Sequence, residues 1–163
     1  MIFDAPDTSP RGEDVPADPR DAWDFGLAAG FPVDAELPAL VAEHYPADLA
    51  RQGITGHSMG GHGALTIALH NPGRFRSVSA FATIASPLNC PWGEKALTGY
   101  LGADKAAWRE YDACALIDDG AQLADLLVDQ SEADNFLAEQ LRTDFLVAAC
   151  DRADSHDPDA AGV

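Results

Sequence analysis

An α/β protein built on a parallel sheet is what this sequence predicts, on three observations. Short apolar runs rich in β-branched residues recur around Ile54, Val78 and Val128, and stretches with apolar residues at helical spacing alternate with them. One strand-to-helix junction carries Gly56-His57-Ser58-Met59-Gly60, a G-x-S-x-G pattern. Strands alternating with helices imply parallel pairing, because parallel neighbours need a crossover long enough to hold a helix. A chain of 163 residues is one domain's worth, and 47% hydrophobic content supports a core.

In chain order, Ile2-Phe3-Asp4-Ala5 reads as the tail of a strand, ended by Pro6-Asp7 and the turn residues at 8–12. A polar loop dense in Pro and Asp runs to Arg20. Trp23-Asp24-Phe25-Gly26 then suggests a loop anchored on the core. Residues 34–45 read as a helix with Leu37, Leu40 and Val41 on one face and Asp34 as N-cap. Gly53-Ile54-Thr55 suits the end of a buried parallel strand. Residues 60–70 form a helix by the spacing of Ala64, Leu65, Ala68 and Leu69, and Asn71-Pro72-Gly73 stops it. Residues 77–82 alternate like a strand that Ile84-Ala85 extends. The stretch 89–102, with a proline, a tryptophan and glycines, reads as a cap or pocket loop. Residues 126–129 form another parallel strand, and helical patterns follow at 136–142 and 144–152. This divides the chain into a domain at 1–153 and a frayed acidic tail at 154–163.

A net charge of −17 argues against nucleic acid or an anionic membrane as partner, since both are repelled. The three cysteines, Cys90, Cys114 and Cys150, are widely spaced and suggest neither a disulfide framework nor a metal site. The first residues show no secretory leader and no apolar run approaches bilayer length, so the expected compartment is the cytoplasm.

The G-x-S-x-G junction is where chemistry is expected. A turn that forces a serine into strained geometry leaves no room for side chains two positions either side, hence Gly56 and Gly60. Ser58 then lies at a helix N-terminus, where backbone N–H groups and the helix dipole stabilise a developing oxyanion. The bland alternative is a structural turn serine.

Several blocks occur in one order: Pro6-Asp7-Thr8-Ser9-Pro10-Arg11-Gly12, Trp23-Asp24-Phe25-Gly26, Gly56-His57-Ser58-Met59-Gly60-Gly61-His62-Gly63-Ala64-Leu65, Ser77-Val78-Ser79-Ala80-Phe81-Ala82, Cys90-Pro91-Trp92-Gly93-Glu94-Lys95-Ala96, and Asp129-Gln130 with Asp134-Asn135-Phe136-Leu137. From about residue 2 to about residue 150 the chain resembles S-formylglutathione hydrolase, also called esterase D. The resemblance implies an α/β-hydrolase fold with helices on both faces of the sheet, and a cytoplasmic serine thioesterase that needs no cofactor. It implies hydrolysis of S-formylglutathione to glutathione and formate in formaldehyde detoxification, with carboxylesterase activity on small esters.

By matching positions, Ser58 corresponds to the nucleophile, Asp134 to the triad acid, and Met59 to a residue whose backbone N–H is one oxyanion donor. Asp129, closing a predicted strand, is an alternative acid, and Asp134 an alternative N-cap for 136–142. Trp92 and Trp23 line an acyl pocket or serve as core aromatics. His57 and His62 flank the nucleophile as in the family, with structural support as the plain alternative. His44 and His70 read as dipole-matched surface residues.

Three departures are expected: the family's first strands, with the second oxyanion donor, precede Met1; a segment is absent between Ala35 and Glu36; and the family's C-terminal histidine block has no counterpart. Triad order in this fold is Ser, acid, His, which leaves His156 as candidate base. The fold would then be partial. The open sheet edge predicts an oligomeric or aggregation-prone chain, a homodimer among the assemblies allowed. The competing functions are a catalytically silent core of the same family and an acyltransferase or lipid esterase on the same scaffold.

Overall fold

The computed structural model describes residues 2–3, 36–123 and 125–156. Among these described residues, four strands, β1 (Ile2–Phe3), β2 (Gln52–His57), β3 (Phe75–Phe81) and β4 (Leu126–Asp129), form an all-parallel sheet in the order β1-β2-β3-β4. The register sets Ile2 beside Thr55, Ile54 beside Val78, and Val78 beside Leu126. Five α-helices accompany it: α1 (Glu36–His44), α2 (Met59–His70), α3 (Pro91–Leu101), α4 (Ala113–Asp118) and α5 (Thr143–His156).

Sequential strands joined by right-handed crossovers bring every crossover to the same side of a sheet. That is where the core lies. Ile54, Val78 and Ala80 are buried under Leu65, Ala68 and Leu69 of α2, Ala113 and Ile117 of α4, and Leu146 and Ala149 of α5. Leu37 of α1 packs on the same cluster, whereas Leu40, expected on that face, is 43% exposed. The resemblance leads one to expect helices on both faces. Among the described residues they cover one face, and on the other Phe81 and Leu127 are 38% and 56% exposed. No described helix is long and apolar enough to cross a membrane.

Two expectations are corrected. Ile84-Ala85 does not extend β3, because Ala82 turns to φ 43° and its N–H donates to the Asp129 carbonyl at 2.9 Å. Residues 89–102 are not a loop: a 3₁₀ turn (Pro87–Asn89) leads into α3. Pro91 and Gly102 there mark the ends of a helix rather than its absence. Pro91 opens α3, the Cys90 sulfur accepts the Gly93 N–H at 3.3 Å, and Gly102 at φ 76° ends it. A Cβ at Gly93 would overlap the Pro87 backbone. Residues 137–141 form a π-type turn, with Arg142 N–H donating to the Leu137 carbonyl at 3.1 Å. Arg142 ends it at φ 52° and stacks on Phe145. α5 reaches past the expected end at 152 to His156. Asp34 and Trp23 lie outside the described residues.

Among the described residues nothing outside the adjoining backbone of α2 lies within 4 Å of where a Cβ would stand on Gly63. Gly63→Ala is therefore expected to raise stability by about 0.5–1 kcal/mol through helix propensity, as urea denaturation would measure.

Candidate active site

β2 ends at His57 and α2 begins at Met59, so Ser58 is the whole junction. Its backbone, φ 53° and ψ −117°, is a conformation that a non-glycine residue holds only when its surroundings over-determine it. Those surroundings are explicit. Ser58 N–H donates to the Phe81 carbonyl at 2.8 Å, and the Ser58 carbonyl accepts from His62 N–H at 3.1 Å and Ile84 N–H at 3.4 Å. The chain folds back so sharply that a Cβ on Gly56 would overlap the Gly60 carbonyl, and one on Gly61 would come within 2.9 Å of Thr83. Ser58 is half-buried. The first-turn N–H groups of Met59, Gly60 and Gly61 have no acceptor within the helix. They suit an anion beside Ser58. The Met59 side chain packs against the buried cluster of Ile84, Cys90 and Leu141, which steadies the turn from below.

Behind the turn lies a buried polar cluster. His62 and Asp112 are each 1% exposed. The Asp112 carboxylate accepts from Ser86 Oγ at 2.7 Å and from the N–H groups of Leu88 and Ala115, both at 2.9 Å. Burial lowers the His62 imidazole from 6.5 to about 4, against the opposing Asp112 charge and hydrogen bonding at the Ile84 and Tyr111 backbone. Burial, with the Asp112 charge next, also pushes the Cys114 thiol up to about 12, and burial raises Cys90, so neither is a reactive thiol. Asp112 was missed in the sequence. An acid directly before the Ala113-Cys114-Ala115-Leu116 run is an N-cap signal that would have found it.

As pH falls below 6.5 the unfolded chain protonates its imidazole, whereas folded His62 resists until about 4. The unfolded state then binds more protons, so stability drops across that window, by roughly 3 kcal/mol in full. His62→Gln should flatten this part of the profile in urea melts between pH 4 and 7.

Asp134, itself half-buried, follows β4 on an otherwise largely exposed loop. Its carboxylate accepts Phe136 N–H at 2.8 Å and faces Gln130 Nε2 at 3.5 Å, so it caps the turn as well as standing near the strand ends. Asp129 is exposed at the end of β4. Trp92, 39% exposed, opens α3 with its N–H on Gln140 Oε1 at 3.0 Å and its ring 4.9 Å from that of Phe136. Ser58, Asp134 and Trp92 thus gather at the carboxyl ends of the strands, where parallel α/β sheets bind ligands. Phe136 and Gln140, not anticipated as site residues, tie Trp92 to the loop that carries Asp134.

His57 is exposed beside Ser58, on the strand's open side. His70 Nε2 lies 2.7 Å from the Glu110 carbonyl at the far end of α2. His156 is the last residue of α5. That helix starts beside Leu141, whose carbonyl accepts Ala85 N–H near the nucleophile turn, and its Arg152 pairs with Asp118 at the end of α4. Thirteen helical steps carry His156 roughly 20 Å from the helix start.

Comparison with known proteins agrees with this geometry. The family model described as "Putative esterase" matches residues 2–161. The S-formylglutathione hydrolase of Bos taurus is 48% identical over 170 residues, taking in 92% of this chain and 60% of that protein. That of Arabidopsis thaliana is 46% identical over 169 residues, with 93% and 59% covered. A solved S-formylglutathione hydrolase from Agrobacterium tumefaciens superposes with a TM-score of 0.73 at 48% identity, over 88% of this chain and 58% of that one. The chain therefore spans about three fifths of the length of these relatives.

Proposed function

Because the chain belongs to the esterase family, we propose that it is a serine hydrolase of the S-formylglutathione hydrolase type, releasing glutathione and formate from S-formylglutathione. The observation that carries this is the strained Ser58 turn between β2 and α2, in a chain whose relatives are enzymes of that name. Ser58 Oγ attacks the formyl carbonyl while a base takes its proton, and the oxyanion is held by Met59 N–H. The thiolate leaves. Since a thiol is a far stronger acid than an alcohol, its departure asks little of a general acid. Water then attacks the formyl-enzyme and regenerates the serine.

In this reading Asp134 is the acid that orients the base, and Trp92, tilted by Phe136, is a wall of the acyl pocket, with Trp23 and His57 further lining residues. His156 is not given the base's role, since its helix leads away from the strand ends. His156→Ala should accordingly leave the rate of Ser58 acylation within about twofold of wild type. A larger loss would return the role to His156. Formaldehyde detoxification in the cytoplasm is the setting this substrate supports. The sheet face on which Phe81 and Leu127 are exposed supports self-association as a homodimer, which light scattering in high salt, where charge repulsion is screened, would measure. The activity is tested by following glutathione release from S-formylglutathione beside hydrolysis of a small activated ester.

A further inference from the structure

Trp92, the wall of the acyl pocket, is held in place from another element. A helix leaves its first N–H groups without acceptors of its own, so each must be met from elsewhere. At α3, Pro91 carries no donor, Gly93 N–H donates to the Cys90 sulfur at 3.3 Å, and the helical ladder begins with Glu94 N–H on the Cys90 carbonyl at 3.0 Å. That leaves the Trp92 N–H, which is met from forty-eight residues away by Gln140 Oε1 at 3.0 Å. Gln140 belongs to the π-type turn at 137–141, a form of backbone frequent at functional sites. The next two residues bond the same stretch: the Leu141 carbonyl accepts Ala85 N–H at 2.7 Å, and Arg142 Nη1 donates to the Asn89 carbonyl at 3.2 Å. Just before the turn, the Phe136 ring stands 4.9 Å from the Trp92 ring, and Phe136 N–H is on Asp134 Oδ1 at 2.8 Å.

We propose that Gln140 is a positioning residue that sets the acyl size the site accepts: with Phe136 it pins Trp92 to the loop that carries Asp134. The proposal rests on the serine-hydrolase reading for its consequence in substrate choice, but not for the attachment itself. A ring that is 39% exposed is not fixed by burial, and keeps one rotamer only where contacts hold it. Without the Gln140 oxygen, the Trp92 backbone loses its bond to the turn and the ring leans on Phe136 alone. The wall then yields to a longer acyl chain. A methylene more or less in an apolar pocket is worth about 10- to 200-fold in discrimination, so even a partial retreat of the wall is readable.

The test measures kcat/KM for p-nitrophenyl acetate and p-nitrophenyl butyrate, read as a ratio, and amide hydrogen exchange at Trp92, in wild type, Gln140→Leu, Gln140→Glu and Leu69→Ala. In Gln140→Leu, similar in size but without an acceptor, the butyrate-to-acetate ratio should rise about tenfold. Exchange at Trp92 should quicken about tenfold as well, the equivalent of one lost hydrogen bond. Gln140→Glu, whose carboxylate accepts the same N–H at a helix N-terminus, should return both quantities to within about twofold of wild type. Leu69→Ala, a buried change in the core on α2, should lower Tm and move neither. A ratio that stays put in Gln140→Leu, that Gln140→Glu does not restore, or that Leu69→Ala moves equally, would make Gln140 a helix cap and nothing more, and overturn the proposal. Wild-type protein that hydrolyses neither ester and is not labelled at Ser58 by a fluorophosphonate would sink the serine-hydrolase reading, and the exchange comparison would still decide the attachment. Should Gln140→Leu not fold, Gln140→Ala takes its place, and loss of fold in both overturns the positioning role.

Discussion

Ser58→Ala is expected to abolish covalent labelling by an organophosphonate or fluorophosphonate, with circular dichroism and Tm close to wild type. Phosphonylation needs an activated oxygen nucleophile, and the strained turn at the head of α2 provides a half-buried serine beside unpaired helix N–H groups. Removing Oγ deletes the nucleophile without opening a cavity in the apolar core, which lies on the far side of the turn. Where acid and base are both in position, loss of the serine from a triad costs about 10⁶-fold in kcat. Labelling that persists in Ser58→Ala would mean that the reactive serine lies elsewhere.

Gly56→Ala is the second large effect, and it falls on the fold. A Cβ at this position meets the carbonyl and carbon of Gly60 and the nitrogen of Gly61. These are backbone atoms at the start of a buried helix, so no side chain can rotate away. Either β2 or α2 must move. β2 is held on both sides, by β1 and β3, and α2 is the central helix of the core. The expected cost is about 3 kcal/mol or more, the upper range for overpacking. Ser58 should also become unreactive in whatever fraction remains folded. Chemical denaturation and phosphonate labelling on the same sample separate the two effects. A variant as stable and as reactive as wild type would show that the close crossing is not required. Gly63→Ala, with open space at the same helix, is the natural control.

The comparison of Gly56 with Gly63 shows how much of this molecule was legible beforehand. The helix at 60–70, the strands around Ile54, Val78 and Leu126, and Ser58 at the junction were all readable, because each rests on local spacing: period 3.6, period 2, or a turn that excludes Cβ atoms. Asp134 as the carboxylate of a loop after β4 was readable from the ordered blocks. α3 was misread because Pro91, Gly93 and Gly102 were counted as breakers, when Pro opens a helix and Gly closes one. α4 went unread because six residues are too few to establish a period.

What the sequence by itself determined, then, is the set of local pieces and the place of Ser58 at the strand-to-helix turn, since strand, turn and helix there are decided within about fifteen consecutive residues. Only the tertiary structure decided which pieces meet. Among the described residues it packed α1, α2, α4 and α5 on one cluster with Ile54 and Val78 of the sheet. It joined Ser86 to Asp112 across twenty-six residues, and Trp92 to Phe136 across more than forty. Such partners are chosen by packing between elements, and no periodicity within one element records them.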